Sequence, residues 1–173
     1  AGVDALGLAG GTAAEDYDGD GWIDMLCSNS DPLGPLTYYH NNGDGTFADR
    51  SAESRAKEQL GGLNLIAGDY DNDGDADPLV LRGGWLLDHG RIRKSLLRND
   101  RGQTFVDVTR AAGLAEPAYP TQAGVFGDFD DDGWLDLYVG CESRVEIEEN
   151  TKGIYPSQLY LSRGDGTFRE VAK

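Results

Sequence analysis

The apolar residues of this chain fall in short runs, and polar segments rich in glycine separate the runs. Residues 25–27, 79–81 and 137–139 are three such runs, each bounded by turn-forming residues. Runs of this length are typical of buried β-strands rather than helices. Residues 63–68 and 124–127 are also apolar and rich in glycine, and they predict further strands. The pattern of hydrophobic positions therefore predicts an all-β fold.

A polar glycine turn followed by Thr-Phe occurs three times. The Thr-Phe pairs lie at residues 46–47, 104–105 and 167–168, and an apolar strand precedes each turn. This pattern is the signature of a β-hairpin. The sequence therefore predicts one such hairpin in each of three similar units.

An acidic loop of nine residues with the pattern D-x-D-x-D-G-x-x-D precedes each of the three apolar runs. We name these loops cage 1 (residues 16–24), cage 2 (residues 69–77) and cage 3 (residues 128–136). Carboxylates at positions 1, 3, 5 and 9, with a backbone carbonyl near position 7, can supply the hard oxygen ligands that calcium takes. The glycine at position 6 allows the sharp turn that brings them together. The candidate ligands are Asp16, Asp18, Asp20, Trp22 and Asp24 in cage 1, Asp69, Asp71, Asp73, Asp75 and Asp77 in cage 2, and Asp128, Asp130, Asp132, Trp134 and Asp136 in cage 3.

The first half of each cage resembles an EF-hand loop, and the second half departs from it. An EF-hand closes with a glutamate at position 12 and is flanked by helices. Here position 12 is Cys27, Val80 or Val139, so the cage must close at position 9, between two strands. Asp-Gly runs also occur as plain solvated turns. Three copies, and the mutual repulsion of so many carboxylates, favour three bound Ca²⁺ ions.

The cages and hairpins recur together, which indicates a repeat of four strands. The spacing from each Phe to the next cage is nearly constant, whereas the spacing from cage to Phe varies. Four-stranded units with insertions in one loop are typical of propeller blades. We predict three antiparallel blades, at residues 1–57, 58–114 and 115–173, with a calcium loop between strands 1 and 2 of each. The variable strand 2–3 loops are residues 28–37, 82–94 and 142–157.

These motifs together resemble the FG-GAP or VCBS repeat family. The resemblance implies an integrin-alpha-type β-propeller with structural calcium, in secreted or surface proteins that mostly bind other molecules. Members usually carry about seven blades, and three blades leave a ring open. We therefore expect this chain to be part of a longer propeller, with self-assembly of three-blade units as the alternative.

The strongly acidic composition limits the classes of molecule that this chain can bind. The formal net charge is −16, and because phosphate binding needs a basic surface, we expect no nucleic-acid partner. No apolar stretch is long enough to span a membrane. Weak calcium sites need the millimolar calcium found outside the cytosol. We expect an extracellular or cell-surface location, with the periplasm as a further option.

Two classes of function stay open from the sequence. One is a calcium-stabilised scaffold that binds an extracellular glycan or protein through the strand 2–3 loops, or serves as a structural subunit of an assembly. The other is an enzyme resembling a polysaccharide lyase, for which His89, Arg91, Arg93 and Lys94 are the candidate residues. Known catalytic motifs are missing, so we favour a non-enzymatic protein.

Two further predictions concern a pair of tryptophans and a pair of cysteines. Trp22 and Trp134 occupy position 7 of their cages, where the rings either pack between blades or form a stacking platform for a sugar. Cys27 and Cys141 lie in blades 1 and 3, too far apart for a disulfide, and are expected to be free thiols.

Overall fold

Three four-stranded antiparallel sheets make up most of the computed structural model, which describes residues 9–29, 31, 34–84, 86–145 and 152–172. Blade 1 contains β1 (Ala9–Glu15), β2 (Asp24–Asn29), β3 (Thr37–Asn41) and β4 (Phe47–Asp49). Blade 2 contains β5 (Asn64–Gly68), β6 (Asp77–Leu81), β7 (Ser95–Asp100) and β8 (Thr104–Asp107). Blade 3 contains β9 (Thr121–Gly127), β10 (Asp136–Cys141), β13 (Gln158–Ser162) and β14 (Phe168–Glu170). In every blade the strands are neighbours in the order in which the chain makes them.

The predicted all-β class and the three antiparallel blades are confirmed. Within the described residues the only helices are two short 3₁₀ segments, Ala56–Glu58 and Leu87–Gly90. Each Thr-Phe motif forms the last strand of its blade and pairs with the strand before it, as the hairpin signature predicts.

The strand 2–3 loop of blade 3 carries a small hairpin of its own. It consists of β11 (Arg144–Val145) and β12 (Lys152–Gly153), which pair with each other and with no strand of the blade. Parts of the three predicted loops, at residues 30, 32–33, 85 and 146–151, lie outside the described residues, as do residues 1–8 and 173 of the predicted repeats.

Blades 1 and 2 share an apolar core centred on three aromatic rings. The rings of Tyr17, Tyr38 and Phe105 meet edge to face, with centroids 5.4 to 6.0 Å apart. Tyr17 and Tyr38 come from blade 1 and Phe105 from blade 2, and all three are buried together with Leu26 and Leu97. Edge-to-face contacts of this kind add to the energy of apolar burial. This core fixes blade 2 against blade 1.

A second core repeats the same arrangement between blades 2 and 3. Tyr70 of blade 2 stacks on Phe168 of blade 3 at 6.0 Å between ring centroids. Leu79 and Leu96 of blade 2 pack in this core against Leu137 and other residues of blade 3. Blade 2 is therefore covered on both faces, in agreement with the fully buried pattern of β6.

The strand order separates two ends of the molecule. Because consecutive strands are antiparallel, the strand 1–2 loops and the strand 3–4 turns lie at one end of each blade. We call this the cage end, since it carries all three cages. The strand 2–3 loops lie at the opposite end, which we call the loop end.

Candidate metal centres

The three cages have the same backbone conformation, and their position 1 aspartates hold it. Asp16 Oδ1 accepts a hydrogen bond from the Asp20 N–H at 3.1 Å, and its Oδ2 accepts one from the Gly21 N–H at 2.9 Å. Asp69 and Asp128 make the corresponding pairs of bonds at 2.9 to 3.1 Å. Each loop is thus curled around its first carboxylate, with a glycine of positive φ at position 6.

The position 9 aspartates are buried at the start of the second strand and connect it to the cage and to the third strand. Asp24 accepts hydrogen bonds from the backbone N–H of Tyr17, at 3.3 Å, and of Asn41 in β3, at 2.7 Å. The equivalent residues Asp77 and Asp136 do the same. Their donors are the N–H groups of Tyr70 and Asn99 for Asp77, and of Phe129 and Ser162 for Asp136. A position 9 carboxylate is therefore part of the frame of its blade as well as of the cage.

Most of the predicted ligands converge. In cage 2 one carboxylate oxygen from each of four aspartates lies within 4.8 Å of the others. In cage 1 the first three aspartates form such a group, and in cage 3 positions 1, 3 and 9 do so. The grouped residues are Asp69, Asp71, Asp73 and Asp77; Asp16, Asp18 and Asp20; and Asp128, Asp130 and Asp136. Asp24 joins Asp18 in a separate group with His40, and Asp132 lies outside the cage 3 group.

Electrostatics in cage 2 favour a cation. Burial raises the pKa of Asp77 to about 8, and the charges of Asp71 and Asp73 add to this rise against the N–H of Asn99. Burial, followed by Asp73 and Asp69, also raises the pKa of Asp71. Asp71 Oδ1 is buried and has no hydrogen-bond partner. A buried oxygen without a donor, among carboxylates that repel one another, fits an ion that takes hard oxygen ligands, as calcium does.

In cages 1 and 3 the pKa values of carboxylates are also raised, but to a smaller extent. The pKa of Asp18 is raised by burial and by Asp24 and Asp20. That of Asp130 is raised by desolvation and then by Asp132 and Asp136. The donor set in both cages is again made of carboxylate oxygens, so the residues present fit calcium there too.

Sequence reasoning missed a basic residue beside two of the cages. His40 Nδ1 lies 3.0 Å from Asp18 Oδ2 and 3.4 Å from Asp24 Oδ1. At the equivalent position of blade 2 stands Arg98, whose charge opposes the rise in the pKa of Asp71 that burial causes. The signal was available, because both residues open the hairpin motif that recurs in the sequence. Blade 3 has Leu161 at this position and so lacks the cation.

Trp22 and Trp134 both lie beside the strand 3–4 turn of their own blade. A Cβ added to Gly43 would stand 2.7 Å from Trp22 Nε1, and one added to Gly164 would stand 3.0 Å from Trp134 Nε1. Both glycines belong to the strand 3–4 turn of the same blade. This turn lies beside the cage at the cage end, so a position 7 side chain reaches it. In cage 2 the position 7 residue, Asp75, contacts the equivalent turn by accepting from the Arg101 N–H at 3.2 Å.

The basic residues between Arg82 and Arg101 do not form one cluster. Arg93 pairs with Asp107 at 2.7 Å at the loop end. Lys94 is buried there, with Nζ donating to Gln158 Oε1 and Tyr160 Oη at 3.1 Å each. Arg98 and Arg101 lie at or near the cage end, because strand β7 runs between the two ends.

The contacts of Arg82 are structural. The guanidinium of Arg82 is buried and donates to the backbone carbonyls of Leu60, Gly61 and Arg93. Cys27 and Cys141 are both free and partly buried, which confirms the expectation of free thiols.

Three four-stranded antiparallel sheets, each with an acidic loop between its first two strands, define a repeat module of the propeller type. Residues 16–80 match the family model of the FG-GAP-like repeat, which confirms the resemblance expected from the motifs. The chain is also similar to cartilage acidic protein 1 of Mus musculus, with 27% identity over 116 residues. That alignment covers 66% of this chain and 17% of the relative, so the chain spans under a fifth of the relative's length.

Among the described residues, no helix has the length and apolar character that crossing a bilayer requires.

Proposed function

We propose that this chain is a calcium-stabilised module of FG-GAP-like repeats that acts as an extracellular or cell-surface scaffold for binding a glycan or a protein. The main support for bound calcium comes from cage 2. Four carboxylates converge there, and Asp71 Oδ1 is buried without a hydrogen-bond partner. The ligands we assign are the position 1, 3, 5 and 9 aspartates of each cage and the backbone carbonyl at position 7. A location with millimolar calcium follows from the weak affinity expected of such short loops.

Calcium would stabilise whole blades in this proposal. Each position 9 carboxylate accepts hydrogen bonds from strand 3 of its blade, so an ion on that carboxylate favours the folded blade over the unfolded chain. For dissociation constants of about 10⁻⁴ to 10⁻³ M and about 2 mM calcium, mass action contributes roughly 0.6 to 1.8 kcal/mol per site.

The binding surface we propose is the loop end. The strand 2–3 loops there differ in length between blades, and the loop of blade 3 adds the β11–β12 hairpin. Loops held by a rigid scaffold are where binding residues usually collect. The cages lie at the opposite end, so calcium holds the scaffold and does not contact a ligand bound by the loops.

The geometry argues against the alternative of a lyase. Such an enzyme needs a basic residue and a calcium ion at one substrate, yet the candidate bases lie at the loop end. Strand β6, with 5 residues, separates the ends of blade 2 by about 16 Å at about 3.3 Å per residue. Lys94 is also buried, and Arg93 is paired with Asp107.

Isothermal titration with calcium tests the proposed sites. Asp71→Asn keeps the size of the side chain and removes the charge of one ligand, so the stoichiometry should fall from three ions to two. The matched control is Asp131→Asn at position 4 of cage 3. Asp131 has φ 59, and Asn72, at the same position of cage 2, has φ 56, so asparagine fits this backbone and three ions should still bind. Three ions bound by Asp71→Asn, or no calcium heat in the native chain, would overturn the assignment.

A further inference from the structure

The imidazole of His40 is buried beside cage 1, and its Nδ1 has no hydrogen-bond partner. His40 is 6% exposed. Its Nδ1 lies 3.0 Å from Asp18 Oδ2 and 3.4 Å from Asp24 Oδ1, without a hydrogen bond to either oxygen. Polar atoms at this depth are nearly always paired, so an unpaired nitrogen needs an explanation. A ring nitrogen that approaches two carboxylate oxygens and bonds to neither is arranged as a ligand of a shared cation.

The spacing of these three atoms is that of donor atoms around one small ion. With metal–ligand bonds of about 2.1 Å, neighbouring donor atoms are about 3.0 Å apart in an octahedron and about 3.4 Å apart in a tetrahedron. The distances from His40 Nδ1 to the two oxygens, 3.0 and 3.4 Å, fall at these values. The three residues also form a group whose ligand atoms all lie within 4.8 Å of one another. A nitrogen that points between the two oxygens, toward a common ion, satisfies both distances.

The hydrogen bonds of Asp24 leave a lone pair on the oxygen that lies near His40. Asp24 Oδ2 accepts from the Tyr38 hydroxyl at 2.7 Å and from the Tyr17 N–H at 3.3 Å. Asp24 Oδ1 accepts from the Asn41 N–H at 2.7 Å. Each carboxylate oxygen has two lone pairs, so Oδ2 is saturated and Oδ1 keeps one for a further partner. Hydrogen bonds of this kind orient a carboxylate that binds a metal.

Cage 1 differs from cage 2 in how its position 9 carboxylate is grouped. Asp77 of cage 2 converges with the other three aspartates of its loop, whereas Asp24 of cage 1 groups with Asp18 and His40. The residues of blades 2 and 3 that correspond to His40 are Arg98 and Leu161, and neither side chain offers a lone pair to a metal. Among the three blades, a mixed set of nitrogen and oxygen donors is therefore a property of blade 1.

We propose that His40 Nδ1, Asp18 Oδ2 and Asp24 Oδ1 bind a divalent transition metal of the zinc class, with water completing the coordination. Imidazole nitrogen suits zinc, copper and nickel, whereas calcium takes oxygen ligands. The site goes beyond the proposed calcium scaffold because it selects a different class of metal. Zinc and calcium share Asp18 and Asp24, so they compete for cage 1 and not for cages 2 and 3.

Asp18 gives the site a route to solvent. It lines an open cleft of about 370 Å³ between blades 1 and 2, together with Arg50 and Gly102. Arg50 Nη1 is 3.9 Å from Asp18 Oδ2, which is too long for a hydrogen bond, and the Arg50 side chain is 49% exposed. An incoming cation can displace that guanidinium into solvent and reach the buried Asp24 and His40.

Isothermal titration of the calcium-free chain with Zn²⁺ tests the site, and one ion should bind. His40→Gln removes the nitrogen and should lower the zinc affinity by about 100-fold or more, since even residues that only orient metal ligands contribute about 10- to 100-fold. His89→Gln is the matched control, because His89 is the other of the two histidines and is exposed, and it should bind zinc as the native chain does. Absence of zinc binding, or equal affinities of the native and His40→Gln chains, would overturn the proposal.

Nitrogen NMR of the two imidazoles identifies the ligand atom in the native chain. Zinc should shift the Nδ1 signal of His40 and leave both nitrogens of His89 unchanged. A zinc ion that shifts only His89 would show an adventitious surface site and contradict the assignment. His40→Arg replaces His40→Gln if the glutamine variant does not fold, because blade 2 carries Arg98 at this position.

Calcium titration of the zinc-loaded chain separates this site from the proposed function. Two calcium ions should bind, in cages 2 and 3, where the zinc-free chain binds three. A chain that binds one zinc ion and no calcium would contradict the proposed calcium scaffold and support the zinc site. Three calcium ions bound while zinc stays in place would overturn the assignment of Asp18 and Asp24 as zinc ligands.

Discussion

The indole of Trp22 lies so close to Gly43 that a Cβ on the glycine would stand 2.7 Å from Nε1. Trp22 is 52% exposed, so this contact covers part of the ring and leaves much of it in solvent. The pair joins cage 1 to the strand 3–4 turn of its own blade. Trp134 and Gly164 repeat the relationship in blade 3.

Gly43→Ala should destabilise the fold through both its backbone and this contact. Gly43 has φ +73, where a Cβ is unfavourable by about 1 kcal/mol, and the clash with Trp22 adds to that. Gly45→Ala is the matched control, because φ is +85 but a Cβ there meets nothing within 4 Å. Urea unfolding should show a greater loss for Gly43→Ala, and the excess should disappear in a Trp22→Ala background. Equal losses for the two alanine variants would mean that the ring does not restrict the turn.

Removing calcium should lower the melting temperature by roughly 4 to 22 °C. This range combines roughly 0.6 to 1.8 kcal/mol for each of three sites with about 2 to 4 °C per kcal/mol for a chain of this size. Thermal unfolding with EDTA and with about 2 mM calcium measures it. Magnesium at the same concentration should restore less, because it takes a smaller octahedral ligand set and gives up its water reluctantly. A melt that is the same with EDTA and calcium would contradict a structural ion.

The buried amine of Lys94 should make stability depend on pH above neutrality. Burial lowers the pKa of Lys94 to about 8 from the usual 10.5, although Cys141, Glu170 and Glu116 act in the opposite direction. Between about 8 and 10.5 the unfolded chain binds the proton and the folded chain does not, so this group makes the fold more stable as pH rises. Above pH 9 the thiol of Cys141, whose pKa burial raises to about 11, opposes the effect.

The measurement is the free energy of unfolding of the native chain relative to Lys94→Met at pH 7 and pH 9. The native chain should gain about 1 kcal/mol on the variant over this interval. Lys57→Met is the control, because Lys57 is exposed and its removal should give no such trend. A constant difference between the native chain and Lys94→Met would show that the amine is not perturbed.

Replacing residues 144–153 by a short Gly-Ser linker should leave calcium binding unchanged. The β11–β12 hairpin lies at the loop end and shares no strand with the blade, so the cages keep their hydrogen bonds. If the loops bind the ligand, a glycan array should lose signal with this variant and keep it with Trp22→Ala. The reverse pattern would favour a sugar platform at the cage end, and loss of calcium stoichiometry in the linker variant would contradict the separation of the two ends.

The sequence was sufficient for the strands, hairpins and cages because each depends on residues that are close together along the chain. An apolar run after a cage forms a strand, and a glycine turn before Thr-Phe forms a hairpin, whatever the rest of the molecule does. The convergence of Asp69, Asp71, Asp73 and Asp77 likewise follows from one tight loop.

Contacts between segments that are far apart in the sequence were harder to predict. The hairpin motif marks the position of His40 in the sequence, but its contact with Asp18 depends on how β3 lies against the cage. The separation of the basic residues along β7 has a different cause. Lys94 and Arg98 are neighbours in sequence, but four residues of extended strand at about 3.3 Å each place them about 13 Å apart. One is then buried at the loop end and the other exposed near the cages.

The hydrogen bond from the Asn41 N–H to Asp24 has a consequence for how such sites are studied. Because the closing carboxylate takes a donor from a strand that lies beyond the loop in sequence, a synthetic nonapeptide would lack part of the site. Affinity for the ion is therefore a property of an assembled sheet, and metal titration can serve as a readout of whether each repeat has formed.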